Sequence, residues 1–150
     1  MRTDVDYRAV FEALPGPTAL LAPDLVILGV NRDFLAVTGR QPEDVVGRRI
    51  LEAFPENPTV RSPEGQRTLR ASFETVLASG MSVAMPVTRY DVEVRDHPGV
   101  FEERYWIATN APVLSSDGDV ILITHRFEEV TDVIRQVLKA QRGRGSRGIR

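Results

Sequence analysis

Asn110 and His125 are the residues best suited to recognise a ligand, because the sequence places them opposite each other in a predicted hairpin. Two β-rich runs, 105–114 and 120–127, flank an Asp-Gly dipeptide, which is a strong signal for a tight turn. Side chains alternate across a strand, so even-numbered residues of the first run face the same way as odd-numbered residues of the second. A two-residue turn predicts that Asn110 lies directly across from His125, and a four-residue turn makes them diagonal neighbours.

This polar pair has two interpretations that the sequence leaves open. A few converging polar groups in an apolar pocket fix the orientation of a bound small molecule. Alternatively, Asn110 and His125 satisfy each other and nearby backbone groups, as buried polar groups normally do. Both interpretations predict a side-chain contact that keeps the two strands in register.

Aromatic side chains are the other candidates for a pocket wall. The same alternation places Trp106 on the inner face, where it either stacks on a flat ligand or fills the cavity. It also places Ile121 and Ile123 on the inner face of the second strand. The remaining candidate wall residues, each of which could equally belong to the core, are Phe34, Phe73, Tyr90 and Phe127.

The sequence offers little for catalysis or metal binding. It contains no cysteine and only two histidines, which lie far apart, so no metal site is predicted. The acidic pairs Glu102-Glu103 and Glu128-Glu129 point to alternate faces of their strands and do not form a catalytic dyad. No motif for nucleophilic catalysis or phosphate binding is visible. We therefore expect that the chain is not an enzyme by itself.

Composition indicates one ordinary globular domain. The chain has 150 residues, of which 42% are hydrophobic and 27% charged, and its net charge is −2. This charge gives no basic field to attract nucleic acid. No apolar run approaches the roughly 18 residues of a membrane helix, and the N-terminus lacks the apolar core of a signal peptide. A cytoplasmic location without membrane insertion or a nucleic-acid partner is predicted.

An amphipathic helix is predicted at residues 1–16, capped by Thr3 or Asp4 and stopped by the Pro-Gly-Pro at 15–17. Its apolar stripe must be covered by its own sheet or by a second protomer, and we expect a homodimer through it. The residues of this dimer stripe are Tyr7, Val10, Phe11 and Leu14.

Strands and helices alternate in the remainder of the chain. Strands are predicted at 18–22 and 26–30, and Asn31 is placed to cap a short helix that ends at Gly39. Two helical turns are expected within 41–54.

A longer central helix should follow these turns, with Ser62 as its cap, Pro63 as its first residue and Gly80 at its end. A long β run at 83–94 is kinked or forms an edge at Pro86.

The C-terminal region carries an apolar stripe that resembles a coiled-coil seam. The ten final residues hold four arginines, three glycines and no acid, which predicts a disordered tail or a linker. The stripe comprises Val130, Val133, Ile134, Val137 and Leu138.

The chain resembles the PAS domain in two stretches that together cover about 18–133. The hairpin carries Tyr105 at the usual strand aromatic, Pro112-Val113 before the turn, and Glu129-Val130-Thr131 in place of the closing Asp-Ile/Val-Thr. The earlier stretch carries Asn31, Phe34, Thr38-Gly39 and Gly47-Arg48.

The resemblance implies an α+β fold. Its five-stranded antiparallel sheet would have the order 2-1-5-4-3, with helices between strands 2 and 3. The implied organisation is an N-terminal helix at 1–16, a sensor domain at 17–131, and a linker helix with a disordered basic tail at 132–150.

The resemblance also implies a function. The pattern is similar to PAS modules found ahead of bacterial histidine kinases and related signalling outputs. Such a module would bind a small molecule or a partner and relay the change through Glu129 and Thr131 to a C-terminal helix and an output domain. Flavin and haem are not expected, because cysteine is absent and the central helix contains no histidine. The alternative is a small α+β cone of the ketosteroid-isomerase type, with helices first and a pocket centred on Asn110 and His125.

Overall fold

The computed structural model describes the backbone of residues 4–147 and the side chains of residues 4–145. The helices are α1 (Tyr7–Ala13), α2 (Arg32–Thr38), α3 (Pro42–Val45), α4 (Ile50–Ala53), α5 (Gly65–Ser79) and α6 (Thr131–Arg147). The strands are β1 (Thr18–Leu21), β2 (Ile27–Val30), β3 (Val83–Arg89), β4 (Val92–Glu93), β5 (Phe101–Glu102), β6 (Tyr105–Leu114) and β7 (Val120–Glu129).

Five of the strands form one antiparallel sheet in the order β2-β1-β7-β6-β3. When these five are numbered alone, the order is 2-1-5-4-3, which confirms the predicted α+β fold. Helix α5 packs against β3, β6 and β7. The isomerase-type cone is wrong, because β1 and β2 precede the four helices α2 to α5. The fully buried core includes Leu21, Ile27, Phe34, Phe73, Val76 and Ile123.

The β6–β7 hairpin has the predicted register at its centre, with Asn110 directly opposite His125. Its turn is neither of the two expected forms. Ser115 N donates to Asp119 O at 2.8 Å, which leaves a three-residue loop with Gly118 at a φ of 86°. The odd loop length is corrected by a register shift between Val113 and Leu114.

This shift overturns one prediction about the inner face. Ile121 was expected beside Ile123, but it lies at the bulge and is exposed, whereas Val120 packs against the core. Side-chain alternation therefore holds for Ile123, His125 and Phe127 and fails at the start of β7.

Helix capping follows the sequence in α2 and departs from it in α1. Asn31 Oδ1 accepts from Phe34 N at 3.0 Å, and Gly39 ends α2 in the left-handed region, both as predicted. In α1 the cap is Asp6, whose Oδ1 accepts from Ala9 N at 3.1 Å. Asp4 precedes the helix, and Thr3 lies outside the described residues.

The predicted start of α5 is wrong by two residues. Ser62 has a φ of 49° and does not cap the helix, which begins at Gly65. The carboxylate of Glu56 takes the place of the local cap, because its Oε1 accepts from Gln66 N at 2.5 Å. A group distant in sequence therefore satisfies an amide in the first turn of the helix, and Ser62 does not.

The run 83–94 is divided in the structure. Strand β3 ends at Arg89, and a separate two-stranded sheet of β4 and β5 follows. The kink expected near Pro86 is confirmed by a register shift between Met85 and Thr88, and β3 is an edge strand.

The C-terminal helix is longer than predicted. Residues 141–147 were expected to be disordered but continue α6, whereas residues 148–150 lie outside the described part of the chain. Extending a formed helix fixes one residue per new hydrogen bond, and arginine favours helix, so the glycines do not end it. Among residues 4–147, no helix is both long and apolar enough to cross a membrane.

Candidate functional site

A chain of hydrogen bonds crosses the inner face of the sheet from α5 to β7. Asn110 Nδ2 donates to Ser72 Oγ at 2.7 Å and contacts Met85 Sδ at 3.4 Å. On the other side of the amide, Asn110 Oδ1 lies 2.6 Å from His125 Nδ1. The predicted contact between Asn110 and His125 is present, and all the amide atoms of Asn110 are occupied.

His125 is held neutral by its surroundings. Its ring stacks on Phe127 with centroids 4.9 Å apart and meets the ring of Phe73 edge-on at 5.3 Å. Burial lowers the pKa of His125 from 6.5 to about 3, because the charged imidazolium would lose its hydration. At neutral pH the ring therefore carries a single N–H.

An apolar, half-enclosed cavity of about 90 Å³ lies between the sheet and the helices α2, α4 and α5. His125 and Trp106 line its sheet side, and Phe34 and Ile50 line its helix side. A ligand pocket of ordinary size is roughly 300–1,000 Å³. The cavity as it stands therefore fits only a molecule of a few heavy atoms.

The polar groups in the cavity wall are mostly bonded to the protein itself. Thr38 Oγ1 donates to Phe34 O at 2.7 Å, and Thr88 Oγ1 donates to Pro86 O at 2.8 Å. The Trp106 indole N–H donates to Tyr90 O at 2.8 Å. These groups present carbon atoms to the cavity and leave few sites for hydrogen bonding to a ligand.

Tyr90 closes one side of the cavity. Its hydroxyl donates to the carbonyl of Phe54, and burial raises the pKa of this phenol. The N-terminus of α5 lies so close that a Cβ at Gly65 would come within 2.7 Å of the Tyr90 ring and 3.0 Å of Arg89 O. Only glycine fits there without displacing the wall.

The buried carboxylate of Asp91 lies at the mouth of the cavity, where a neighbouring groove lined by Arg89 and Asn57 begins. Arg89 donates to both oxygens of the buried Asp91 at 2.9 and 3.0 Å, and Asn57 Nδ2 donates to Asp91 at 2.9 Å. Burial alone would raise the pKa of Asp91, but the bonds from Arg89 and Asn57 outweigh it and hold the pKa below its ordinary value. Arg40 also lines the mouth, with its guanidinium 5.4 Å from the Phe54 ring and a buried Nε that has no partner among the described residues.

Arg104 joins a cavity helix to the end of the sheet. Its guanidinium donates to the carbonyl of Val37 in α2 at 3.2 Å and to Glu129 in β7 at 3.0 Å. At the same junction the buried Thr131 accepts a bond from Tyr105 N at 3.0 Å. Glu129 therefore forms an ion pair at the position where the resemblance implies a shorter aspartate.

The structure separates the predicted pocket residues into two groups. His125, Trp106, Tyr90, Phe127 and Phe34 line the cavity. Asn110 and Phe73 are fully buried but stand behind it, where they position His125.

The predicted dimer stripe on α1 is only partly covered. Tyr7 is 78% exposed and Val10 49% exposed, whereas Phe11 lies over Gly29 on the outer face of the sheet. Within residues 4–147 no cluster of three or more His, Asp or Glu side chains could hold a metal ion.

Three residues in or beside the candidate site were missed from the sequence. Ser72 carried a signal, because it is a serine on the apolar face formed by Leu69, Phe73 and Val76. Asp91 and Arg104 carried none, because each also depends on a distant partner, Asn57 for Asp91 and the Val37 carbonyl for Arg104.

Comparison with known proteins identifies relatives of this fold. The profile of a family described as a PAS fold matches residues 11–135. A search of curated proteins finds no match.

Three of the similar solved structures illustrate the likeness. A sensory box sensor histidine kinase from Vibrio cholerae is 24% identical, with a TM-score of 0.54 over 83% of this chain and 89% of that one. The PAS domain of Bordetella pertussis BvgS is 19% identical, with a TM-score of 0.58 over 91% and 95%. A tryptophan-to-alanine variant of the PAS-B domain of Drosophila melanogaster Cycle, solved with bound glycerol, is 15% identical, with a TM-score of 0.58 over 75% and 98%. At these identities the three structures share the fold.

Proposed function

Because this chain belongs to the PAS family, we propose that it is a non-catalytic sensory module of a bacterial signalling protein. Its cavity binds a small molecule reversibly, and the change passes through the end of β7 to α6 and an output such as a histidine kinase. A cytoplasmic location and a parallel homodimer are part of this proposal. The observation that carries it is the link from the cavity helix α2 through Arg104 to Glu129.

The ligand step rests on the cavity and on a similar fold. The cavity offers an apolar wall with a single ring acceptor, which suits a small, weakly held molecule and gives no covalent anchor. The Cycle PAS-B variant was solved with bound glycerol and the wild-type Cycle PAS-B domain with bound ethylene glycol. No flavin or haem is proposed.

The relay step rests on the geometry around Arg104. A ligand that moves α2 shifts the Val37 carbonyl, and Arg104 transmits the movement to Glu129 at the last residue of β7. Thr131, buried against the first residue of β6, begins α6. The exposed Val133 and Val137 on α6 would then change their contacts with a second protomer or the output domain.

Xenon tests both steps, because it binds apolar cavities without requiring a hydrogen bond. We expect xenon to shift the backbone amide signals of residues around the cavity and also those of Thr131 and the first turn of α6. In Arg104→Gln the cavity shifts should remain and the α6 shifts should be lost. The matched control is Arg67→Gln, since Arg67 is exposed on α5. An unchanged α6 response in Arg104→Gln would contradict the relay, and the absence of any xenon response would contradict the binding cavity.

Sedimentation tests the assembly. The full chain should form dimers at high micromolar concentration, and a chain that begins at Pro17 should be monomeric, because the exposed Tyr7, Val10 and Leu14 lie in the removed segment. If both chains are monomers, α1 only covers its own sheet and the dimer proposal fails.

A further inference from the structure

The orientation of the Asn110 side chain fixes which atom of His125 faces a ligand. A thioether sulfur only accepts hydrogen bonds, so the Asn110 atom beside Met85 Sδ is the amide nitrogen. The amide oxygen then faces His125 Nδ1 at 2.6 Å, and this contact requires a proton on Nδ1. The buried ring is neutral, so its other nitrogen, Nε2, carries a free lone pair.

Nε2 is a ring acceptor that the protein leaves unused at the inner end of the cavity. No described residue donates a hydrogen bond to it, and the ring borders the cavity. The hydroxyls of Thr38 and Thr88 and the indole N–H of Trp106 are bonded within the protein. The charged residues that line the same cavity are Arg40, Asp91 and Glu93, and none of them makes a hydrogen bond to His125. Asp91 is bonded to Arg89 and Asn57, and the unpaired donor, Arg40 Nε, lies at the mouth.

We propose that the cavity selects small, uncharged molecules that have an apolar body and one N–H or O–H group, which donates to Nε2 of His125. This inference rests on the proposed function and adds the chemical class of the ligand. A molecule of the same shape that only accepts hydrogen bonds leaves Nε2 unsatisfied and binds more weakly. A permanently charged molecule loses its hydration against carbon walls.

Pyrrole and furan provide a matched pair of probes. Both are flat five-membered rings, but pyrrole carries an N–H donor and furan carries an oxygen acceptor. Titration of the full chain, followed by amide signals around the cavity, should show pyrrole binding about tenfold more tightly than furan, as one satisfied buried hydrogen bond implies. In His125→Phe the two probes should bind equally. In Ile50→Val, which alters the wall without a polar change, the preference for pyrrole should persist.

Histidine labelled with a nitrogen isotope gives a second readout that needs no substitution. The chain has only two histidines, and His97 lies exposed in a loop, so it serves as an internal reference. Pyrrole should move the Nε2 signal of His125 and leave its protonated Nδ1 signal and the signals of His97 nearly unchanged, and furan should not move Nε2 in this way.

The outcomes separate the two proposals. Equal binding of pyrrole and furan to the wild-type chain, or a proton found on Nε2 of His125, overturns the donor preference while the binding cavity stands. If neither probe binds and xenon does not bind either, the proposed function fails together with this inference.

Discussion

Buried polar side chains are stabilised in different ways at the inner end of the cavity and at its mouth. At the inner end, Ser72, Asn110 and His125 are all uncharged and come from three regular elements. At the mouth, Asp91 is charged and is held by Arg89 from its own strand end and by Asn57 from a loop. A buried charge is tolerated where its partners are close to solvent. Where the surrounding walls are apolar and exclude water, the cost of desolvation favours uncharged groups. The inner end therefore keeps one uncharged arrangement in the folded protein, whereas the ion pair at the mouth can respond to salt.

Asn110→Ala should give the largest loss of stability, because it breaks the inner end at its centre. The change leaves His125 Nδ1 and Ser72 without a buried partner and should lower the free energy of unfolding by about 1–3 kcal/mol. Urea unfolding measures this loss. Thr109→Ala, at the exposed neighbouring position on the same strand, should change it by less than about 0.5 kcal/mol. Equal effects at the two positions would show that the inner network does not hold the sheet.

Acid should give the second largest loss of stability, through His125 at the inner end. The pKa of His125 is about 3 in the folded protein and 6.5 in the unfolded chain, so below pH 6.5 the unfolded state binds a proton that the folded state does not. Stability is therefore fully present above pH 6.5 and should fall by about 1.4 kcal/mol per pH unit below it, or about 2 kcal/mol by pH 5.

Urea unfolding at several pH values measures this slope. His125→Gln should flatten the dependence between pH 6.5 and 5, and His97→Gln should leave it unchanged. A slope that persists in His125→Gln would place the titrating group elsewhere in the protein.

Asp91→Asn should give the smallest loss of stability, because it breaks a partly exposed ion pair with Arg89 at the mouth. Arg89 is 39% exposed in its side chain, so solvent screens much of the ion pair, and we expect a loss of about 1 kcal/mol that decreases at high salt. Thermal unfolding at low and high salt measures it, with Asp96→Asn as the control, since Asp96 is 88% exposed. A loss larger than that of Asn110→Ala would reverse the comparison between the two ends.

Local pattern was sufficient to predict the Asn110–His125 pair of the inner end, but it predicted neither the contact of Asn110 with Ser72 nor the mouth. Strand alternation predicted that Asn110 faces His125, because both residues lie in one hairpin. The pairing holds although the turn differs from both expected forms, because the register shift compensates for the odd loop length. The same rule failed at Ile121, because the three-residue loop required a bulge that the Asp-Gly dipeptide does not reveal.

Long-range contacts account for the other failures. The start of α5 depends on Glu56 reaching Gln66 N, and the position of Asp91 depends on Asn57. Contacts between residues so far apart leave no periodic pattern in the sequence, so the residues at the mouth could not be predicted. The sheet order could be predicted, because it followed from the family resemblance.

The position of β1 in the sheet also has a consequence for folding. β1 lies between β2, its neighbour in the chain, and β7, which is among the last elements to be synthesised. Until residues 120–129 leave the ribosome, one edge of β1 is unpaired, and its Thr-Ala-Leu-Leu sequence is apolar. Pairing strands from opposite ends of a chain is slow, and an exposed apolar edge favours association with other chains. We therefore expect nascent chains that stop before β7 to aggregate, which makes the last strand the element that completes the sheet and protects its first strand.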